Sequence, residues 1–178
     1  MERKGQKLEQ LAELVRPSLV YKDSFIAAIK EFQAEGRKLD LNLEEINENF
    51  YEYLAKIDRD EKGESKKDRV PQSEFWLTEG NEFIGRTSVR HYLINNLLTV
   101  GGHIGYDIRP SQRKKGYGTR ILKLALEKAK ALGINRVLVT CDDDNIGSAK
   151  IIESNGGVLE NKVEHEGKLK RRYWIENK

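Results

Sequence analysis

The residues best suited to chemistry are Arg113-Lys114-Lys115-Gly116-Tyr117-Gly118, three cations ahead of two closely spaced glycines. A strand should precede them, Gly102 to Ile108, where Ile104, Tyr106 and Ile108 alternate with His103, Gly105 and Asp107. Pro110 has no N–H to give a ladder and should stop it. A helix should follow, because Ile121, Leu122, Ala125, Leu126, Ala129 and Leu132 recur every three or four residues until Gly133. A helix start leaves backbone N–H groups unpaired and carries partial positive charge. A phosphate could approach the bare backbone at Gly116 and Gly118, with Arg113, Lys114 and Lys115 adding cationic reach. The stretch from Arg113 to Thr119 therefore reads as a pyrophosphate cradle.

Two sharper phosphate motifs are missing. No Gly-Lys-Ser/Thr of a P-loop is present, and position 121, where a dinucleotide fingerprint needs its third glycine, is Ile. What remains, Arg-x-x-Gly-x-Gly between a strand and a helix, resembles the acyl-coenzyme A loop of the GNAT N-acetyltransferase family. A second block resembles the same family. The apolar strand Arg136–Thr140 leads through Cys141-Asp142-Asp143-Asp144 to Asn145, and a helix from Ile146 to Asn155 closes on Gly156-Gly157. Asn145, Ser148, Ala149 and the closing glycine fit the family spacing Asn-x-x-Ala-x-x-x-Tyr-x-x-x-Gly.

The resemblance implies an α/β fold with a mixed, mostly antiparallel sheet flanked by helices. Its two central parallel strands, ending near Ile108 and Thr140, would be splayed to admit a pantetheine arm. It implies acetyl-CoA as co-substrate and direct transfer of the acetyl group, in a ternary complex, to a primary amine of a small molecule or peptide. Ile108 and Arg109 would offer amides to the thioester carbonyl, Arg113 to Thr119 with Tyr117 would hold the phosphates, and Asn145 and Ser148 would meet the arm. A homodimer is common in such proteins.

Two catalytic positions depart from the family pattern. The tyrosine that protonates the leaving thiolate aligns with Ile152, and an acidic base on the central strand aligns with Gly102. An alkylamine with a pKa near ~10 must still lose a proton before attack. His91, His103 and Tyr106 are the candidate replacements, with Asp107 and Tyr173 beside them. A histidine on a strand is more often structural, and the blanks at Gly102 and Ile152 keep a non-catalytic acyl-CoA-binding sensor or scaffold as the alternative reading.

Composition sets broad bounds. At 178 residues, 38% hydrophobic and 34% charged, the chain suits a single domain with a well-solvated surface. No membrane-spanning run or secretory signal is expected, and the single Cys141 excludes an internal disulfide and fits a reducing cytoplasm. A net charge of +3 is too mild to argue for nucleic acid. Asp142 to Asp144 have no accompanying histidine, so no metal is expected.

The remaining elements follow from pattern. Met1 to Gln10 should be loosely held or start a short helix, and Leu11 to Pro17 should carry a strand. Phe25, Ile26, Ile29 and Phe32 mark a helix from Asp23 to Gly36, and a single helix should cover Leu43 to Arg59. In the family these helices wall the acceptor groove. Asp60 to Val70 reads as a mobile loop or a lid, Glu74–Thr78 and Phe83–His91 as a hairpin around Gly80-Asn81, and Tyr92–Thr99 as a connection. Val158–Val163 and Leu169–Ile175 form a last hairpin around Glu166-Gly167.

Overall fold

The computed structural model describes residues 12–64 and 69–177. The expectations for Met1 to Gln10 and for residues 65–68 of the loop fall outside the described residues. In chain order the elements are β1 (Ala12–Val15), a 3-10 turn (Leu19–Tyr21), α1 (Lys22–Ala34), α2 (Leu43–Glu48), α3 (Phe50–Lys62), β2 (Gln72–Glu79), β3 (Glu82–Arg90) and α4 (Asn95–Thr99). Then come β4 (Ile104–Ile108), a second 3-10 turn (Pro110–Gln112), α5 (Tyr117–Ala131), β5 (Arg136–Asp142), α6 (Ile146–Ser154), β6 (Val158–His165) and β7 (Lys168–Glu176). No helix among the described residues is long and apolar enough to cross a membrane.

The strands form two antiparallel sheets, ordered β1-β2-β3-β4 and β5-β7-β6. Helices α1 to α3 cover one face of the first sheet, burying Phe25, Ile29, Phe32 and Phe50 around Trp76 and Phe83. Phe25 stacks on Trp76 with ring centroids 4.7 Å apart. The other face carries α5, whose Tyr117 and Ile121 pack on Ala12, Leu77 and Ile84. Trp76 and Leu77 reach opposite faces because side chains alternate along a strand. The second sheet meets α5 and α6 through Leu122, Ala125, Val137, Val139, Ile152 and Tyr173.

The single helix expected over Leu43–Arg59 is two. Asn49 breaks it, with its side-chain oxygen accepting from the Glu52 N–H at 3.4 Å to cap α3. Asparagine competes with helix backbone for hydrogen bonds, so it favours a cap over an interior position. Helix α3 then runs past Arg59 to Lys62 and ends at Gly63 in the left-handed region. The connection Tyr92–Thr99 contains the short helix α4.

The splay between β4 and β5 has a local cause. No ladder joins them; they are tied at one end only. The His103 N–H donates to the Leu138 carbonyl at 2.7 Å, the Leu138 N–H donates to His103 Nδ1 at 3.0 Å, and the Gly101 N–H donates to Thr140 Oγ1 at 2.9 Å. Gly102 makes this approach possible. Its φ is +60°, and a Cβ there would lie 2.3 Å from the Leu138 carbonyl oxygen. Beyond this knot the strands part.

Candidate active site

Hydrogen-bond parity shows which backbone groups face the gap. In an antiparallel ladder alternate residues exchange bonds with the partner and those between point away. The Arg109 N–H donates to the Ile84 carbonyl at 2.9 Å and the Arg90 N–H to the His103 carbonyl at 2.8 Å, which fixes the phase. Ile104, Tyr106 and Ile108 therefore turn their N–H groups away from β3. On β5 the Asp143 N–H donates to the Leu169 carbonyl at 2.9 Å, and the same count turns Leu138, Thr140 and Asp142 toward β4. Leu138 is taken up by His103. Tyr106, Ile108 and Thr140 are left as open edges able to pair with an extended amide-bearing ligand.

This corrects one expectation. Of the two amides assigned to the thioester carbonyl, Ile108's faces the gap and Arg109's is held in the β3 ladder. The Arg109 guanidinium is also engaged, with Glu31 at 2.7 Å and Glu82 at 3.5 Å. Burial would raise the Glu31 pKa, but bonds from Arg109 and Ser111 outweigh it and hold the carboxyl below its usual range.

The gap opens into a cavity of about 320 Å³ whose lining includes Tyr106, Thr140, Cys141, Asn145 and Ser148. Asn145 caps α6 by accepting from the Ser148 N–H at 3.0 Å, and the Ser148 and Tyr106 hydroxyls lie 2.8 Å apart. Burial pushes the Tyr106 phenol up to about 12, against the opposing pull of the Ser148 bond. It stays protonated at neutral pH and can donate. Burial raises the Cys141 thiol as well, which removes it as a nucleophile. Ile152 is fully buried in the core, so the family's tyrosine position supplies nothing to the gap.

The cradle is open. Gly116 sits at φ +92° at the N-terminus of the 15-residue α5 with no side-chain cap. Among the described residues no protein acceptor takes the amides of residues 114–119. Lys114 is exposed, and Lys115 bonds only the side chain of Gln112, at 2.8 Å. Three residues have other work. Arg113 forms a double bond pair with Glu35 at 2.9 and 2.8 Å and donates to the Ile108 carbonyl at 3.2 Å, so its guanidinium braces the strand end against α1. Tyr117 is buried and donates to Glu79, so only its amide is available. A Cβ at Gly118 would lie 2.4 Å from Ile151 Cδ1, so this glycine serves the close packing of α5 on α6. Thr119 is exposed at the helix start.

A second cavity, about 560 Å³, shares Arg90, Gly105 and Tyr106 with the first. Helix α3 supplies Tyr53, Lys56 and Asp60, while β2 and β3 supply Glu74, Arg86 and Arg90. Asp107 lies within reach of Arg37 at 2.5 Å, Lys38 at 2.7 Å and Arg86 at 3.9 Å. Burial would raise its pKa, but the charges of Lys38, Arg86 and Arg37 outweigh burial and hold the carboxyl below its usual range. A carboxylate so stabilised is a weak base. Motif reading missed this wall. Its one signal was the period-two run Arg86, Ser88, Arg90, charge and polarity alternating with buried Thr87 and Val89.

The two candidate histidines line neither cavity. Ser73 Oγ lies 2.9 Å from His91 Nε2 and donates to Glu61 at 2.6 Å, and Glu61 is bound in turn by Arg16. His103 is 9% exposed and uses Nδ1 as an acceptor in the β4–β5 knot. Burial, and then the charge of Arg90, lower its pKa. A histidine held neutral in the fold and protonated more readily when unfolded favours folding above its unfolded pKa of about 6.5, and that benefit is lost as pH falls toward the folded value. Urea unfolding from pH 7 to pH 5.5 should show this loss. His103→Asn keeps an acceptor without a titrating group and should flatten the slope; an unchanged slope would remove His103 as its source.

Tyr173 is buried and donates to Glu153 at 3.0 Å, away from both cavities. Asp142 pairs with Lys170, and Asp143 lies between Lys162 at 2.8 Å and Arg171 at 2.6 Å. No group of three potential metal-binding side chains converges among the described residues.

Comparisons with known proteins bear on the fold and the family. No curated protein sequence matches the chain. Several solved structures share its fold. Mycobacterium smegmatis RimJ, solved with a coenzyme A disulfide, has a TM-score of 0.70 at 14% identity, over 92% of this chain and 81% of its own. MccE, a microcin self-immunity acetyltransferase solved with acetyl-CoA and AMP, has a TM-score of 0.68 at 16% identity, over 92% of this chain and 91% of its own. RimL, a ribosomal alpha-N-protein acetyltransferase solved with coenzyme A, has a TM-score of 0.67 at 17% identity, over 94% and 96%. The family model for the acetyltransferase (GNAT) domain matches residues 23–158, and the chain belongs to that family.

Proposed function

We propose that this protein transfers an acetyl group from acetyl-CoA to a primary amine of a small molecule or peptide, by direct attack in a ternary complex. The carrying observation is the continuous path from the open amides of residues 114–119, along the unpaired edges of β4 and β5, to the junction of the two cavities at Tyr106. That path suits a long carrier with a diphosphate at one end, an amide-bearing arm between strands and a thioester at the junction. RimJ, MccE and RimL were each solved with coenzyme A or a derivative in the same fold. The free thiol of Cys141 accords with a reducing, cytoplasmic setting.

The chain's residues divide the work. On the open β4 edge the Ile108 amide, nearer the cradle, meets the arm, and the Tyr106 amide at the cavity junction polarises the thioester carbonyl and steadies the oxyanion. Tyr106, protonated and backed by Ser148, stands ready to donate to the departing thiolate in place of the tyrosine absent at Ile152. No histidine lines the acceptor cavity. Its lining carries five cations against three carboxylates. The acceptor amine then gives its proton to water.

The test is acetyl-CoA with a panel of amines, following free thiol and acetylated product by mass spectrometry. Tyr106→Phe should cut kcat by roughly 10- to 100-fold with KM for acetyl-CoA little changed. An unaltered kcat would sink the donor role. Coenzyme A binding without product from any amine would sink the transferase reading.

A further inference from the structure

The acceptor cavity holds positive charge that its carboxylates leave uncompensated. Asp107 takes Lys38 at 2.7 Å and Arg86 at 3.9 Å, and Glu74 stands 4.0 Å from Arg86. Arg90 is different. It is half-buried, and one guanidinium nitrogen donates to the carbonyls of Gly101 and Gly102 at 3.1 and 3.0 Å. Arg69 is exposed on the same wall. Among the described residues no carboxylate lies within ion-pair distance of either arginine. Burial and then the charge of Arg69 both work against the charge on Arg90. Arg90, partly desolvated, without a counter-ion and repelled by Arg69, is a cost to the fold that a bound anion would relieve.

We propose that Arg90 and Arg69 form a subsite for an anionic group, carboxylate or phosphate, carried on the same molecule as the acceptor amine. The inference rests on the transferase reading and narrows its substrate to amines bearing an acidic group, as opposed to polyamines. An anion at the junction could belong to the acceptor or to a carboxylated acyl chain. Arg69 lines the acceptor cavity and not the gap, which favours the acceptor. Arg90 lines both, so the anion sits where the amine meets the thioester.

The experiment uses two matched pairs, β-alanine with its amide and phosphoethanolamine with ethanolamine. Each is titrated by calorimetry against protein saturated with coenzyme A, then assayed with acetyl-CoA. The anionic member of at least one pair should bind roughly tenfold more tightly than its neutral partner. Arg69 has no partner among the described residues, so Arg69→Gln should remove several-fold of that preference while leaving the neutral amine and coenzyme A binding unchanged. Arg90→Gln should remove more; because Arg90 also holds the Gly101–Gly102 turn, Arg69→Gln is the decisive variant. Equal binding within both pairs, no binding by either anionic probe, or equal loss for both members on Arg69→Gln would overturn the proposal. So would a dependence on Arg69 seen only with a succinyl thioester. The calorimetric arm needs no turnover: tight binding of an anionic amine without acetylation would sink the transferase reading and leave the subsite standing.

Discussion

Replacing Gly116 with valine should abolish useful coenzyme A binding while leaving the protein folded. Position 116 sits at φ +92°, and nothing lies within 4 Å of where a Cβ would stand. The β-carbon therefore meets no protein atom, and the cost is backbone strain of about 1–2 kcal/mol. For a chain of this size that lowers the melting temperature by roughly 2–8 °C. Binding suffers more, because two branched methyl groups would stand where an anion approaches the open amides of residues 114–119. Two lost bonds to a charged phosphate, at ~1.5 kcal/mol or more each, amount to about a hundredfold in Kd. Calorimetry with coenzyme A gives the answer directly. Lys114→Ala is the graded control, expected to weaken binding less and to reduce its salt dependence. An unchanged Kd for Gly116→Val would mean that the phosphates lie elsewhere.

Gly102→Ala should be among the most damaging single changes in the fold. The residue has φ +60°, and a Cβ would lie 2.3 Å from the Leu138 carbonyl oxygen and 2.8 Å from its carbon. Both are main-chain atoms of β5 and cannot swing aside. Relief requires β4 and β5 to move apart, which breaks the paired bonds between His103 and Leu138. Left-handed strain, a backbone clash and buried groups left unpaired together suggest a loss of roughly 3–5 kcal/mol. Urea unfolding should show it as a lower midpoint. The same geometry explains why the acidic base of some family members is absent at this position, since a carboxylate side chain has no room there. Gly102→Glu should therefore gain no activity and should unfold more readily than Gly102→Ala. A stable Gly102→Ala protein would show that the knot yields easily.

The sequence by itself determined most of the elements and the open turn at Gly116. Helix and strand periods were readable because each buried stripe has its own spacing, as in Ile121, Leu122, Ala125 and Leu126 on α5 and in β2 and β3 on either side of Gly80-Asn81. The two motif blocks pointed to the family because Gly116 and Asn145 act through local geometry, the left-handed turn at Gly116 and the cap on Ser148. Tertiary structure decided the rest. Whether Arg113 faces an anion or Glu35, and whether an amide is free or laddered, depend on partners dozens of residues away. His103 looked like a base on a strand, but only the approach of β5 turns its Nδ1 into an acceptor for Leu138. The wall of the second cavity combines α3, redirected at Asn49, with the period-two face of β3, and neither segment carries a motif. Local spacing is written along the chain, whereas charge balance in a cavity exists only once distant segments have met.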